Sequence, residues 1–289
     1  MAIEDPMRAR PRPTAGGVTV AVLLTLAAFL FILPFLYMLS TSLKTVGETI
    51  IRVNPFPFHP EFWPSVPQWV NYATAWTTAN FSLFFRNSII TAALTVAGLM
   101  FTSALAAYAF AKIRFAGSRL VFSIFIATLV IPESVYLIPN FILITRLGWY
   151  DTLAGLTVPF MASAFSIFLL RQFFAQLPNE LLESARMDGA GHPRLLLSVV
   201  LPLSAPPLFT VAFLAFVGSW NSLQWPLVAT QTMRWRPITV GLATFVTEAG
   251  PQNQLRMAGA MISVLPVVLA YFFAQKQFTE AIARSGIKG

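Results

Sequence analysis

The residues best suited to chemistry are gathered in one hydrophilic stretch, LPNELLESARMDGAGHPRLLLSVVLPLSAPP, at residues 177–207. Glu180, Glu183 and Asp188 fall close together there, as carboxylates that bind a metal or move protons must. Zinc-type chemistry needs histidine or cysteine beside them. The chain has no cysteine, and its two histidines, His59 and His192, are too few and too far apart for a metal cage. No catalytic residue and no metal ligand is assigned. The same residues suit recognition: Asn179 can cap a short helix, Glu180 and Glu183 lie near its positive amino end, and Gly189 or Gly191 can end it. Leu177, Leu181 and Ala185 would give it an apolar stripe, and Ser184 and Ala185 are small enough to let a second backbone approach. A helix this short is marginal alone in water and needs a surface to pack on. The acidic cluster therefore reads as a solvated or docking face.

The elements that position this stretch follow from composition. Of 289 residues, 56% are hydrophobic and 10% charged, whereas a soluble domain carries about a quarter charged residues. The net charge of +8 would suit nucleic acid if it were clustered, but the basic residues stand as punctuation between apolar runs. Nucleic acid is therefore not expected as a partner; a lipid bilayer is.

Crossing about 30 Å of hydrocarbon takes roughly 20 apolar residues in a helix. Six runs qualify, at about 18–39, 88–111, 120–144, 153–170, 199–217 and 257–274, which predicts an all-α polytopic bundle. The first has Arg8, Arg10 and Arg12 before it, as a signal peptide would, but its core is too long and no A-x-A site follows. The uncharged stretch from Leu195 to Met233 is counted as one span, because Ser219, Asn221, Ser222, Gln224, Thr230, Gln231 and Thr232 make its second half a poor lipid-facing helix. That half is expected to be interfacial or re-entrant.

Six spans put both termini on one side. The amino-terminal segment (1–17), the loop at 112–119, the loop at 176–198 and the tail (275–289) hold most of the lysine and arginine, so both termini are expected in the cytoplasm. Loops 40–86, 145–152 and 218–256 then face outside. All seven tryptophans fall in that outer half, where anchoring and packing are the plainer reading and docking of a soluble partner the sharper one. The proline- and aromatic-rich NPFPFHPEFWPSVPQW suits a rigid folded loop better than a helix. Glu133 falls inside the third run, where an ionisable group is costly and is expected to face a cavity or a partner.

Glu183, Ser184 and Ala185, then Gly189, then Val199, Leu201 and Pro202 have the spacing of a known signature: E-A-A, three residues, G, nine residues, I-x-L-P. The loop resembles that of permease subunits of binding-protein-dependent ABC importers, with Ser184 and Val199 departing conservatively. The similarity continues through RNSIITAALTVAGLMFTSALAAYAFAKIRF, RLGWYDTLAGLTVPF, FLLRQFF, VGSWNSLQWPL and the closing GIKG. It is similar to the carbohydrate subfamily, whose second, smaller permeases resemble that of the maltose importer.

The resemblance implies a type I importer-like permease in a bacterial or archaeal cytoplasmic membrane. Its partners would be a second homologous permease, two cytoplasmic ATPase subunits and an extracytoplasmic solute-binding protein. Glu183, Ser184, Ala185, Asp188 and Gly189 would dock an ATPase, and Glu133, Asn221, Trp235 and Glu248 are candidates for the translocation path or the binding-protein contact. The chain has no G-x-x-x-x-G-K-[ST] run, so ATP and magnesium are expected on the partner ATPase and no cofactor on this chain. The alternatives are an ion-coupled secondary transporter, which should show paired repeats and several intramembrane charges, and a membrane-embedded enzyme.

Overall fold

The structure is a computed structural model that describes residues 15–51, 57–78, 80–248 and 252–285. All regular elements among them are helical. In chain order they are α1 (Ala15–Ser42), α2 (Val46–Ile51), α3 (Val70–Thr78), α4 (Phe81–Lys112), α5 (Ser118–Ala127), α6 (Glu133–Arg146), α7 (Leu153–Thr157) and α8 (Ala164–Gln176). There follow α9 (Asn179–Met187), α10 (His192–Leu195), α11 (Leu201–Leu203), α12 (Ala205–Asn221), α13 (Gln224–Ala229), α14 (Ile238–Glu248) and α15 (Asn253–Ser285). Three helices, α1, α4 and α15, are long and apolar enough to cross a membrane unaided. Three bent pairs bring the total to six: 118–130 with 133–146, 153–160 with 164–176, and 192–203 with 205–221.

Taking each bent pair as one span gives the expected number, but the shapes differ from those expected. The second begins at Phe81, not near 88, because Arg86 limits hydropathy without interrupting a helix. The third is not continuous over 120–144: it bends by 104° between Val130 and Glu133. Pro132 is the cause, since it lacks an N–H, takes φ −60° and ψ 142°, and restricts the residue before it. Glu133 thus opens the first turn of α6, where the helix dipole favours a carboxylate, and is not the mid-helix charge its place in the apolar run suggested. The fifth span is the most displaced. Residues 196–200 form a π-helical stretch, and an 85° bend separates 192–203 from α12, which starts at Ala205.

Of the proline-rich loop the described residues 57–69 are tied by side chains to the end of α1, with α2 and α3 on either side. Asn71 Nδ2 donates to Ser42 O at 2.8 Å and to Lys44 O at 2.9 Å, which satisfies carbonyls at the end of α1. Ser40 Oγ donates to Phe62 O, and Lys44 Nζ donates to Glu61 O at 2.7 Å. Glu48 accepts from the amides and hydroxyls of both Thr45 and Ser65. Burial alone would raise its pKa, but these four donors outweigh it and hold the carboxyl at about 2. Burial pushes Lys44 below the ordinary lysine value, partly offset by Glu48 and Glu61.

Contacts sort the bundle into two ends. One gathers Phe81, Phe84, Trp220, Phe245 and Leu255 around the start of α4, with Ile144, Leu156 and Trp225 in a neighbouring cluster. The other gathers Tyr108, Leu170, Phe174, Leu182 and Leu195 around its finish. Two of the tryptophans are packing residues: Trp220 Nε1 donates to Ser263 O at 3.0 Å and Trp225 Nε1 to Gly155 O at 3.1 Å, whereas Trp63 and Trp69 stay exposed.

Candidate functional site

Helix α9 carries the predicted docking residues, and its ends show why the sequence folds this way. Its N-cap is Pro178, with no side-chain cap; Asn179 is the first helical residue and does not cap. Its Oδ1 instead accepts from Lys112 Nζ at 3.1 Å. The finish is a Schellman turn: Gly189 N donates to Arg186 O at 2.9 Å and Ala190 N to Ala185 O at 3.0 Å. Gly189 has φ +78°, a conformation open to glycine and strained for other residues. Gly189 is therefore the terminator, and Gly191 is not.

The inward face is also corrected. Leu182 is buried, with Leu177 and Ala185 packed beside it, while Leu181 points outward with Met187. Glu183, Ser184, Asp188 and Gly189 are exposed, so the structure brings them to one free surface and leaves only Ala185 half-buried. Ser184 Oγ bonds back to Leu181 O at 3.1 Å.

Polar ties root this surface in the spans. Lys112, the last residue of α4, donates to Leu177 O at 2.8 Å, so a single ammonium joins α4 to the entry of α9. Tyr108 OH lies 2.9 Å from His192 Nδ1 at the start of α10. Leu195, Leu196 and Val200 then enter the same cluster as Leu182. The path from α9 to α12 thus runs through α10, the π-helical stretch and the 85° bend, where the Ser204 hydroxyl is buried without a partner. The hydrogen-bond ladder between α9 and α12 is thus irregular at the π-helical stretch.

The opposite end holds the other candidates. Asn221 is exposed at the finish of α12, and Thr239 Oγ1 in α14 donates to the next carbonyl, Ser222 O, at 2.6 Å. Trp235 is half-buried against the cluster of Ile144, Leu156, Trp225 and Ala229, with Arg234 at 5.7 Å from its ring centre. Helix α14 ends at Glu248, whose side chain lies outside the described residues. Glu133 is exposed and is not brought to Asn221 or Trp235; among the described residues its carboxylate makes no hydrogen bond or ion pair.

Residues that the sequence did not single out hold this end together. Asp151, at φ +55°, accepts from Gln231 N at 3.0 Å and from Thr232 N at 3.2 Å. Burial raises the Asp151 pKa, but Thr232, Gln231 and the Arg236 charge together lower it on balance. Asn87, fully buried, donates to Arg234 O at 2.9 Å and Arg236 O at 3.0 Å, and Ser88 Oγ accepts from Ile238 N at 2.7 Å. A polar pair following Arg86 at the head of an apolar helix was the available signal.

An all-helical bundle with up to six crossings that holds one short exposed helix at its end defines a polytopic membrane subunit. The chain belongs to the family of binding-protein-dependent transport system inner membrane components, whose model matches residues 98–284. It is 34% identical over 258 residues to a putative ABC transporter permease protein, ORF2, of Caldicellulosiruptor sp. (strain Rt8B.4), covering 89% of this chain and 91% of that one. It is 32% identical over 267 residues to the diacetylchitobiose uptake system permease protein NgcG of Streptomyces coelicolor, covering 91% and 86%. A solved bacterial ABC transporter that imports the acidic polysaccharide alginate shares the fold, with a TM-score of 0.80 at 24% identity over 92% of this chain and 99% of that one. The protein is a permease subunit of an ABC importer.

Proposed function

We propose that this permease carries a sugar or sugar-like solute across a bacterial or archaeal cytoplasmic membrane, with both termini in the cytoplasm. Partners in the proposal are a second permease, two ATPases that hold ATP and magnesium, and an extracytoplasmic binding protein. The observation that carries the proposal is α9: a short helix with an exposed acidic and glycine-terminated face, seated by Leu182 on the cluster that joins α4, α8 and α10. Glu183, Ser184, Asp188 and Gly189 would enter a groove of the ATPase, and closure of the ATPase dimer would move α9 as a lever. The relative that takes up diacetylchitobiose supports the substrate class. The loop 219–256, with Asn221, Trp235 and Glu248, would meet the binding protein, and Glu133 would face a polar cavity or partner in the assembly.

The test is reconstitution of the complete importer in proteoliposomes. Binding protein loaded with an oligosaccharide should stimulate both ATPase activity and uptake, and Gly189→Asp should abolish uptake while Arg194→Gln does not. Uptake that continues after removal of the ATPase would overturn the assignment.

A further inference from the structure

Two arginines stand together where α4, α5 and α8 meet. A cavity of about 230 Å³ is lined there by Phe110, Ser118, Arg119, Phe122, Ser123 and Arg171. The Arg171 guanidinium lies 4.2 Å from the Phe122 ring centre, and its Nε donates to Phe110 O at 3.4 Å. That fixes the group in place while using one of its five donors. Arg119 stands across the cavity on the first turn of α5, whose N-cap Gly117 contributes no side-chain bond, so the positive end of the helix adds to the field.

The three helices that meet here supply no carboxylate to this charge. Residues 87–132 and 164–176 contain no aspartate or glutamate, and among the described residues neither arginine makes an ion pair. The cavity also has an apolar margin. Helix α5 buries none of its residues, and Leu120, Val121, Ile124 and Phe125 are exposed along it.

The geometry points to a binding site for an anionic glycerophospholipid, its phosphodiester held between Arg119 and Arg171 and its acyl chain lying on α5. Guanidinium groups recognise phosphate by paired donors, and Ser118 and Ser123 supply hydroxyl donors beside them. A zwitterionic headgroup would bring its own cation towards the two arginines and be disfavoured. The cavity sits at the end of the bundle that carries α9, so the lipid would come from the leaflet facing the ATPase, where basic groups at the surface attract anionic lipid. Only the choice of leaflet rests on the proposed orientation.

The test uses the assembled importer in detergent, by native mass spectrometry after exchange into phosphatidylglycerol or phosphatidylcholine micelles. The wild type should retain phosphatidylglycerol against dilution. The double variant Arg119→Gln/Arg171→Gln should retain it roughly thirtyfold less, as expected for two basic groups at an anionic surface. Arg146→Gln, at the other end of the bundle, should match the wild type. Ser123→Trp keeps both charges and fills the cavity, so it should also lose the lipid even if the double variant folds poorly. Inorganic phosphate should neither displace the lipid at millimolar concentration nor raise the melting temperature as the lipid does. Equal retention of phosphatidylcholine, an equal effect of inorganic phosphate, or no retained lipid because a partner's carboxylate fills the cavity would each overturn the proposal. Because retention is read without transport, its failure leaves the importer assignment intact.

Discussion

The hydroxyl of Thr232 donates to a carboxylate oxygen of Asp151 at 2.7 Å, joining points 81 positions apart in the chain. Together with the amides of Gln231 and Thr232, it turns the short α6–α7 connection into a clamp on the loop between α13 and α14. The clamp is exposed, so Asp151→Ala should cost about 1.5 kcal/mol, the low end for bonds to a charged group. Amide exchange at Gln231 and Thr232 should quicken while exchange in α4 stays as it was. Unchanged exchange at both would show that the clamp holds nothing.

Glu48 gives the segment between α1 and α3 a definite acid response. Its carboxyl is held at about 2 against an ordinary value of 4.5, so it binds fewer protons in the folded loop than in the unfolded chain. Its contribution is complete above about pH 4.5 and is lost as pH falls towards 2. Protease protection of residues 57–65 should weaken in that window, and Glu48→Gln should remove the response. A midpoint above pH 5 would point to a different group.

Asn87 presents the sharper case, because its amide is fully buried and serves two carbonyls, those of Arg234 and Arg236. Asn87→Leu would strand both acceptors, at about 1–3 kcal/mol for each buried group left unpaired. The melting temperature of the assembled protein in detergent should fall, and labelling of a cysteine placed at Thr232 should rise. Wild-type values for both would remove Asn87 from this role.

The helical class, the membrane-capable runs and the short helix α9 were legible in the sequence, because apolar runs and a glycine-spaced signature are local properties. It did not show the breaks at Pro132 and Ser204. A hydropathy window averages over a kink, and Pro132 sits in a run as apolar as any straight span. Leu181 and Leu182 are adjacent, and which one faces inward depends on where the helix begins. That start was placed one residue late, at an Asn179 cap, when Pro178 is the cap. Asp151 and Asn87 were invisible for a different reason: their partners lie 80 and about 147–149 positions away.

Gly189 separates backbone strain from crowding by a partner. A side-chain carbon there would meet nothing within 4 Å in this chain, so packing within the subunit does not require glycine. What remains is φ +78°, which costs about 1–2 kcal/mol for an ordinary residue and less for asparagine. Gly189→Asn should therefore restore much of the fold that Gly189→Val loses, as measured by protease protection of α9. If both variants keep α9 folded and both still lose ATPase co-purification, the glycine serves the partner's groove. Retained co-purification in both would exclude that role.

On the proposed docking role of α9, Leu182 and Met187 offer a way to part its seat on the bundle from its grip on the ATPase. Leu182 is 3% exposed among Leu170, Phe174 and Leu195, whereas Met187 is 88% exposed on the opposite side of the same helix. Leu182→Ala removes buried volume, and such truncations cost about 2–5 kcal/mol. The loss falls on the contact between α9 and the ends of α4 and α8, so α9 should loosen without altering the surface it presents. The ATPase should still co-purify, but each hydrolytic cycle should move less solute, because a loosely held lever yields before the bundle does. Met187→Ala removes only exposed surface, so the melting temperature of the subunit should be unchanged while retention of the ATPase weakens. Uptake, hydrolysis and co-purification measured side by side distinguish the two variants. If Leu182→Ala loses the ATPase and Met187→Ala keeps it, the roles of the two faces are reversed, and α9 docks through the side that this structure shows packed against its own bundle.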